Sequence, residues 1–84
     1  RSLPEEIERE IIAIIDEDPQ IKDPHNLKTR RIGNDFAIEV HIRLQPDMTV
    51  REAHGVATGI ENRLRAKYGS HTHVAVHVEP VKNE

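Results

Sequence analysis

Two imidazoles and a carboxylate occupy positions that strand alternation would place on one side of a sheet. In THVAVHVEP, residues 72–80, Val74, Val76 and Val78 point one way, while His73, Ala75, His77 and Glu79 point the other. FAIEVHIRL, residues 36–44, alternates as strictly: Phe36, Ile38, Val40, Ile42 and Leu44 form an apolar face, opposite Ala37, Glu39, His41 and Arg43. Neighbouring strands lie ~4.8 Å apart, so His41 and His77 on adjacent strands can reach one ion, and Glu79 adds an oxygen ligand at ~2.0–2.2 Å from Zn²⁺. The plainer alternative is a wet sheet face that happens to tolerate polar side chains.

The chain carries 6 His in all, dispersed rather than clustered like a tag. His25 follows Pro24 just ahead of a polar strand. Burying Leu27 and Thr29 turns Lys28 and Arg30 outward, with Lys28 able to pair with Glu39. Simple alternation then leaves His25 off the outward face, as a loop histidine, unless the break at Pro24 bends it there. His54 falls at the edge of a helical apolar stripe, a boundary position. His71 and His73 share one side of a strand entrance, where little geometry is imposed on a chelating pair.

These residues must be positioned by a small scaffold. The 84 residues suffice for one domain. Hydrophobic residues make up 36% and charged residues 32%, with one Phe, one Tyr and no Trp, so the core is aliphatic. A core of this size supplies ~5 kcal/mol, and a metal or a second subunit would add to it. The absence of Cys rules out a disulfide framework and thiolate ligands and fits a reducing compartment. A net charge of −3 does not suit a general nucleic-acid surface, and the open face lacks the stacking aromatics of an RNA-binding sheet. No run reaches the ~18 apolar residues of a membrane span, and no signal-peptide pattern opens the chain. Its first residue, Arg1, suggests a piece of something longer. No Gly-rich phosphate loop, nucleophile elbow or His-Glu-x-x-His helix is present.

The periodicities predict five elements. SLPEEIEREIIAIIDE reads as a helix with a Ser2–Glu5 capping box, Pro4 in its first turn, and a stripe of Ile7, Ile11, Ile14 and Ile15. DPQIKDPH, bracketed by Pro19 and Pro24, reads as a linker. NLKTRRIG is a strand, its polar residues guarding a sheet edge, and GND a hairpin turn into the second strand. After a QPDM loop, a Thr49–Glu52 capping box opens a helix that runs to Gly69 with Ala53, Val56, Ala57, Ile60 and Leu64 buried. The third strand follows, and VKNE is a polar tail. A helical crossover between strands two and three implies that they are parallel. The fold class expected is α+β: a two-layer αββαβ domain over residues 1–84, both helices on one face of a three-stranded mixed sheet and the other face bare.

Taken together, HNLKTRRIG, FAIEVHIRL, MTVREAHGVATGIENRL and HVAVHVEP resemble the C-terminal cytoplasmic domain of cation diffusion facilitator metal transporters. The likeness covers His25 to Pro80. The resemblance implies a metallochaperone-like, ferredoxin-like αββαβ fold that forms a homodimer beneath a transmembrane region, on the cytoplasmic side of the membrane, and binds a divalent ion near the dimer interface to regulate transport. By position it implies His25, His41, His54, His77 and Glu79 as metal ligands. Zn²⁺ is the ion expected, with Mn²⁺, Fe²⁺, Co²⁺ or Ni²⁺ compatible with the same His and carboxylate set. Two departures stand out: Glu79 where the zinc-type pattern has Asp, and His73 at a place often acidic in relatives. An enzyme is not expected. The rival readings are a small metal-dependent hydrolase, which would need a substrate pocket, and a metal-independent dimerisation or nucleic-acid-binding module.

Overall fold

The computed structural model describes residues 1–82, in the order α1 (Glu5–Ile15), β1 (Lys22–Ile32), β2 (Asp35–Leu44), α2 (Val50–Tyr68) and β3 (His73–Pro80). Asn83 and Glu84 of the expected polar tail lie outside the described residues. The sheet order is β1-β2-β3, with β1 antiparallel and β3 parallel to the central β2. Ile11 and Ile15 of α1, Val56, Ile60 and Leu64 of α2, and Ile38, Val40, Ile42 and Leu44 of β2 form one buried cluster. Both helices therefore cover the same face of the sheet, as the binary pattern requires. Full burial of each such side chain contributes ~1.5–3 kcal/mol.

α2 begins where its capping box predicts. Thr49 Oγ1 accepts from the Glu52 backbone N–H at 3.0 Å, and Glu52 Oε1 accepts from the Thr49 N–H at 2.9 Å. It ends at Gly69, whose φ of 115° disfavours any residue with a Cβ. The hairpin turn is the two residues Gly33 and Asn34 between paired Ile32 and Asp35. Gly33 has the positive φ of 62° that such a turn needs.

Four expectations require correction. The Ser2–Glu5 capping box does not form: α1 has Pro4 as its N-cap and no side-chain cap bond. Ser2 lies too far ahead of the helix, because Leu3 is buried, with its N–H donating to Thr29 Oγ1 at 3.0 Å. Thr29 in turn donates to Glu8 Oε2 at 2.6 Å, tying α1 to β1. The linker is shorter than predicted, since β1 starts at Lys22 and takes in DPH. Pro24 is accommodated at an irregularity of an edge strand, where a missing N–H is tolerated. Val78 points to the helical side of the sheet yet is 45% exposed, because β3 is the other edge strand. Finally, His54 is exposed rather than half-packed at the stripe's edge.

Candidate metal centre

The uncovered sheet face is organised in rows that follow from register. Lys28 pairs with Glu39, His25 with His41, and Lys22 with Arg43. Across the parallel pair, Glu39 meets Ala75, His41 meets His77, and Arg43 meets Glu79. His25, His41 and His77 thus form one line three strands wide. A row of Lys28, Glu39 and Ala75 flanks it on one side, and a row of Lys22, Arg43 and Glu79 on the other.

His25 reaches this line through a bulge. The pairing shifts between His25 and Lys28 and again between Lys22 and His25. In each interval β1 advances three residues for two on β2, the signature of an inserted residue. Asn26 at φ 51° and Asp23 at φ 48° adopt the left-handed backbone that accommodates these insertions. Leu27 and Thr29 keep their inward positions while Lys22, His25 and Lys28 all face outward. Simple alternation, which cannot see a bulge, sends His25 the other way.

The ring of His25 is oriented by its own backbone. Its Nδ1 lies 2.7 Å from the Asp23 carbonyl oxygen. A carbonyl only accepts, so Nδ1 carries the hydrogen and Nε2 is left with the lone pair when the ring is neutral. Nε2 faces Glu79 Oε1 at 3.4 Å. On the other carboxylate oxygen, His41 Nδ1 stands 2.7 Å from Glu79 Oε2. Arg43 also holds Glu79, with Nη2 3.2 Å from Oε1, and its Nε donates to Asp23 Oδ2 at 3.0 Å. The hydrogen bond from His41 holds the Glu79 carboxyl below the usual carboxylate range, desolvation by burial opposes it, and the Arg43 guanidinium adds to the lowering.

The donor set fits a divalent ion. Ligand atoms of His25, His41 and Glu79 all lie within 4.8 Å of one another, as do those of Glu39, His41 and His77. Tetrahedral ligands at ~2.0–2.2 Å from Zn²⁺ stand ~3.3–3.6 Å apart, so the His25–Glu79 spacing of 3.4 Å already matches. A neutral His25 aims a lone pair at a carboxylate, and that arrangement calls for a cation between them. His41 Nδ1 donates its hydrogen to Glu79, so ligation there requires that hydrogen to leave Nδ1 and the 2.7 Å contact to open by ~0.6–0.9 Å.

Of the five ligands implied at the sequence level, the structure brings His25, His41 and Glu79 into one group. His77 is beside them, its ring stacked on His41 at 4.5 Å and 15°, with Nε2 2.9 Å from Glu39 Oε2. His54 is apart, exposed on α2 in the helical layer. Among the described residues, neither group that could hold an ion includes His71 or His73. The sequence reading missed Asp23 and Arg43 as neighbours of the site. Arg43 was legible, two residues beyond His41 on the same face; Asp23 was hidden by the bulge.

The family model for the cytoplasmic domain of cation efflux proteins matches residues 3–81. The cation-efflux pump FieF of Pectobacterium atrosepticum is 33% identical over 81 residues, covering 96% of this chain and 27% of that protein. The uncharacterized transporter YdbO of Bacillus subtilis is 41% identical over 64 residues, 73% of this chain and 22% of that one. The chain therefore spans about a quarter of the length of these curated relatives. Among solved structures, the metal-bound C-terminal domain of the CzcD transporter from Thermotoga maritima superposes with a TM-score of 0.83 at 29% identity, covering 93% of this chain and 91% of that one. The zinc form of CzrB gives a TM-score of 0.85 at 31% identity, covering 98% and 97%.

Proposed function

The chain belongs to the family of cation efflux protein cytoplasmic domains, and from that premise we propose that it is the metal-sensing and dimer-forming part of a divalent cation transporter. The observation that carries this reading is the convergence of His25 Nε2 and His41 Nδ1 on one carboxylate, Glu79, at 3.4 and 2.7 Å. The fold, shared with a metal-bound CzcD domain and with the zinc form of CzrB, supports it. No helix among the described residues is long and apolar enough to cross a membrane, and the chain spans about a quarter of the length of its transporter relatives.

The chemistry of regulation is electrostatic. The uncovered face carries Glu39 and Glu79 in the half-buried zone around the histidine line. Two copies that approach through this end bring like carboxylates together, which disfavours close association. A divalent ion supplies the positive charge that offsets them, and Zn²⁺ is the ion proposed, given two imidazoles and a carboxylate without thiolates. Its differential affinity for the close arrangement is what can shift the protein toward that arrangement. His54, in the layer opposite the histidine line, joins a site only when contributed by a second copy.

Zinc titration by calorimetry or a competing chelator tests this. His41→Ala is expected to weaken binding by at least tenfold, since disturbing even an outer partner of a ligand costs 10–100-fold. His71→Ala is expected to leave it unchanged. Equal losses in the two variants would place the ion elsewhere. Sedimentation at micromolar protein tests the dimer, and a monomer both with and without Zn²⁺ would remove the regulatory reading.

A further inference from the structure

A permanent cation is built into the candidate centre. Arg43 stands on the outward face of the central strand, two residues after His41, with Lys22 opposite it on β1 and Glu79 opposite it on β3. Its side chain is only 17% exposed, and each guanidinium nitrogen has a different partner. Nε donates to Asp23 Oδ2 at 3.0 Å, Nη1 donates to the Pro80 carbonyl oxygen at 3.0 Å, and Nη2 lies 3.2 Å from Glu79 Oε1. Among the described residues, no other Lys or Arg forms an ion pair with Asp23 or Glu79.

The guanidinium and a metal ion seek the same oxygen. His25 Nε2 stands 3.4 Å from Glu79 Oε1, the atom that Arg43 Nη2 also faces. An ion ~2.0–2.2 Å from that oxygen and from His25 Nε2 brings a second cation onto it. Nη2 can yield, but Nε remains bound to Asp23 and Nη1 to Pro80. The guanidinium is thereby kept beside the ion instead of swinging into solvent, and like charges at that range repel. With neutral imidazoles, Asp23 and Glu79 set against Arg43 leave one net negative charge to attract an ion, where the two carboxylates alone would present two. We propose that Arg43 sets the affinity of the centre, as a built-in cation that competes with the metal for Glu79. This rests on His25 and Glu79 forming part of a metal site.

A clamp that merely positions Glu79 would use the same bonds, and the two roles predict opposite signs. Removing a clamp frees the carboxylate and weakens binding. Removing a competitor strengthens it. Lysine separates charge from geometry, because it keeps one positive charge but lacks the planar fork that reaches three partners at once. The competition also favours divalent cargo: a singly charged ion brings no more charge to Glu79 than the guanidinium already supplies, and a divalent ion brings twice as much.

The test is competitive zinc titration of the 84-residue chain as wild type, Arg43→Gln, Arg43→Lys and Arg9→Gln, with circular dichroism verifying that each is folded. Arg43→Gln is expected to bind zinc about 3–10-fold more tightly than wild type. Arg43→Lys is expected to bind close to wild type. Arg9→Gln, which removes the same charge from a 71% exposed side chain on α1, is expected to leave affinity unchanged. In the ¹⁵N-labelled wild type, the Arg43 Nε–H resonance is expected to move as zinc saturates the site. Equal or weaker binding in Arg43→Gln would overturn the competing role and leave the metal site standing. So would Arg43→Lys binding as tightly as Arg43→Gln, since charge would then not be the cause, or an Arg43 resonance that zinc leaves unmoved. Absence of bound zinc in all four proteins would overturn the metal-site reading itself, and this inference with it.

Discussion

Asn26 is the residue on which the placement of His25 depends. It sits at φ 51° in the bulge between His25 and Lys28, and its side chain is exposed. A left-handed backbone costs an ordinary L-residue ~1–2 kcal/mol, while Asn and Gly bear it best and β-branched residues worst. Asn26→Val is therefore expected to lose ~1–2 kcal/mol with no packing change to confuse the result. For a domain of 60–100 residues each kcal/mol corresponds to ~4–8 °C in melting temperature, so the drop is ~4–16 °C. Asn26→Gly adopts the same φ freely and differs chiefly through a more flexible unfolded chain, so its stability stays within ~1 kcal/mol of wild type. If the bulge relaxes in Asn26→Val, His25 leaves the histidine line and the proposed site keeps only His41 and Glu79. Zinc affinity is then expected to fall at least tenfold in Asn26→Val and to hold in Asn26→Gly. Thermal melts and competitive zinc titration on the three proteins decide this. An Asn26→Val protein that melts with wild type and binds zinc equally well would refute the bulge as the device that aims His25.

Arg43→Gln reverses the usual sign of a site mutation. Its guanidinium stands 3.2 Å from Glu79 Oε1, and at ~6 Å from a bound divalent ion in a water-like dielectric the repulsion is ~1 kcal/mol. Zinc is expected to bind roughly 3–10-fold more tightly, and weaker binding in the same titration would count against Arg43 as a competing cation. Thr49→Ala should cost ~1 kcal/mol through loss of the cap, measured by urea denaturation. The bonds from Thr49 hold the Glu52 carboxyl below its ordinary value. Its contribution is therefore present above the unfolded carboxylate pKa of ~4.3 and lost as pH falls through the lower folded value. The stability gap between wild type and Glu52→Gln should accordingly shrink between pH 7 and pH 3, and a gap that widens would contradict the cap. Ile60→Ala removes a side chain with 0% exposure at the centre of the core and should cost ~2–5 kcal/mol by the same denaturation assay.

Much of the architecture was legible because local signals agreed with the global pattern. The alternation in β2 and β3, the Thr49 cap, the Gly69 stop and the helical crossover all point to two helices on one side of a mixed sheet. His41 and His77 were found by alternation alone, and their register pairing is what the structure shows. The misses share one cause. At Ser2, a capping pattern competed with the burial of Leu3 against Thr29, a contact between distant parts of the chain that no local signal carries. At DPH, a proline-marked linker became strand because tertiary pairing with β2 overrode it, and the bulge then inverted the expected direction of His25. The tether between the His25 ring and the Asp23 carbonyl depends on that same irregular backbone. His25 as a candidate ligand came from the family likeness. Its geometric reason came only with the bulge.

The claim that the uncovered face holds its ion through His25, His41 and Glu79 is tested most directly by anomalous diffraction at the zinc edge from crystals of the chain grown with Zn²⁺. The account predicts the strongest peak ~2.0–2.2 Å from His25 Nε2, from a nitrogen of His41 and from a Glu79 oxygen. A strongest peak held by His71 and His73, or one that touches no histidine of the line, would contradict it.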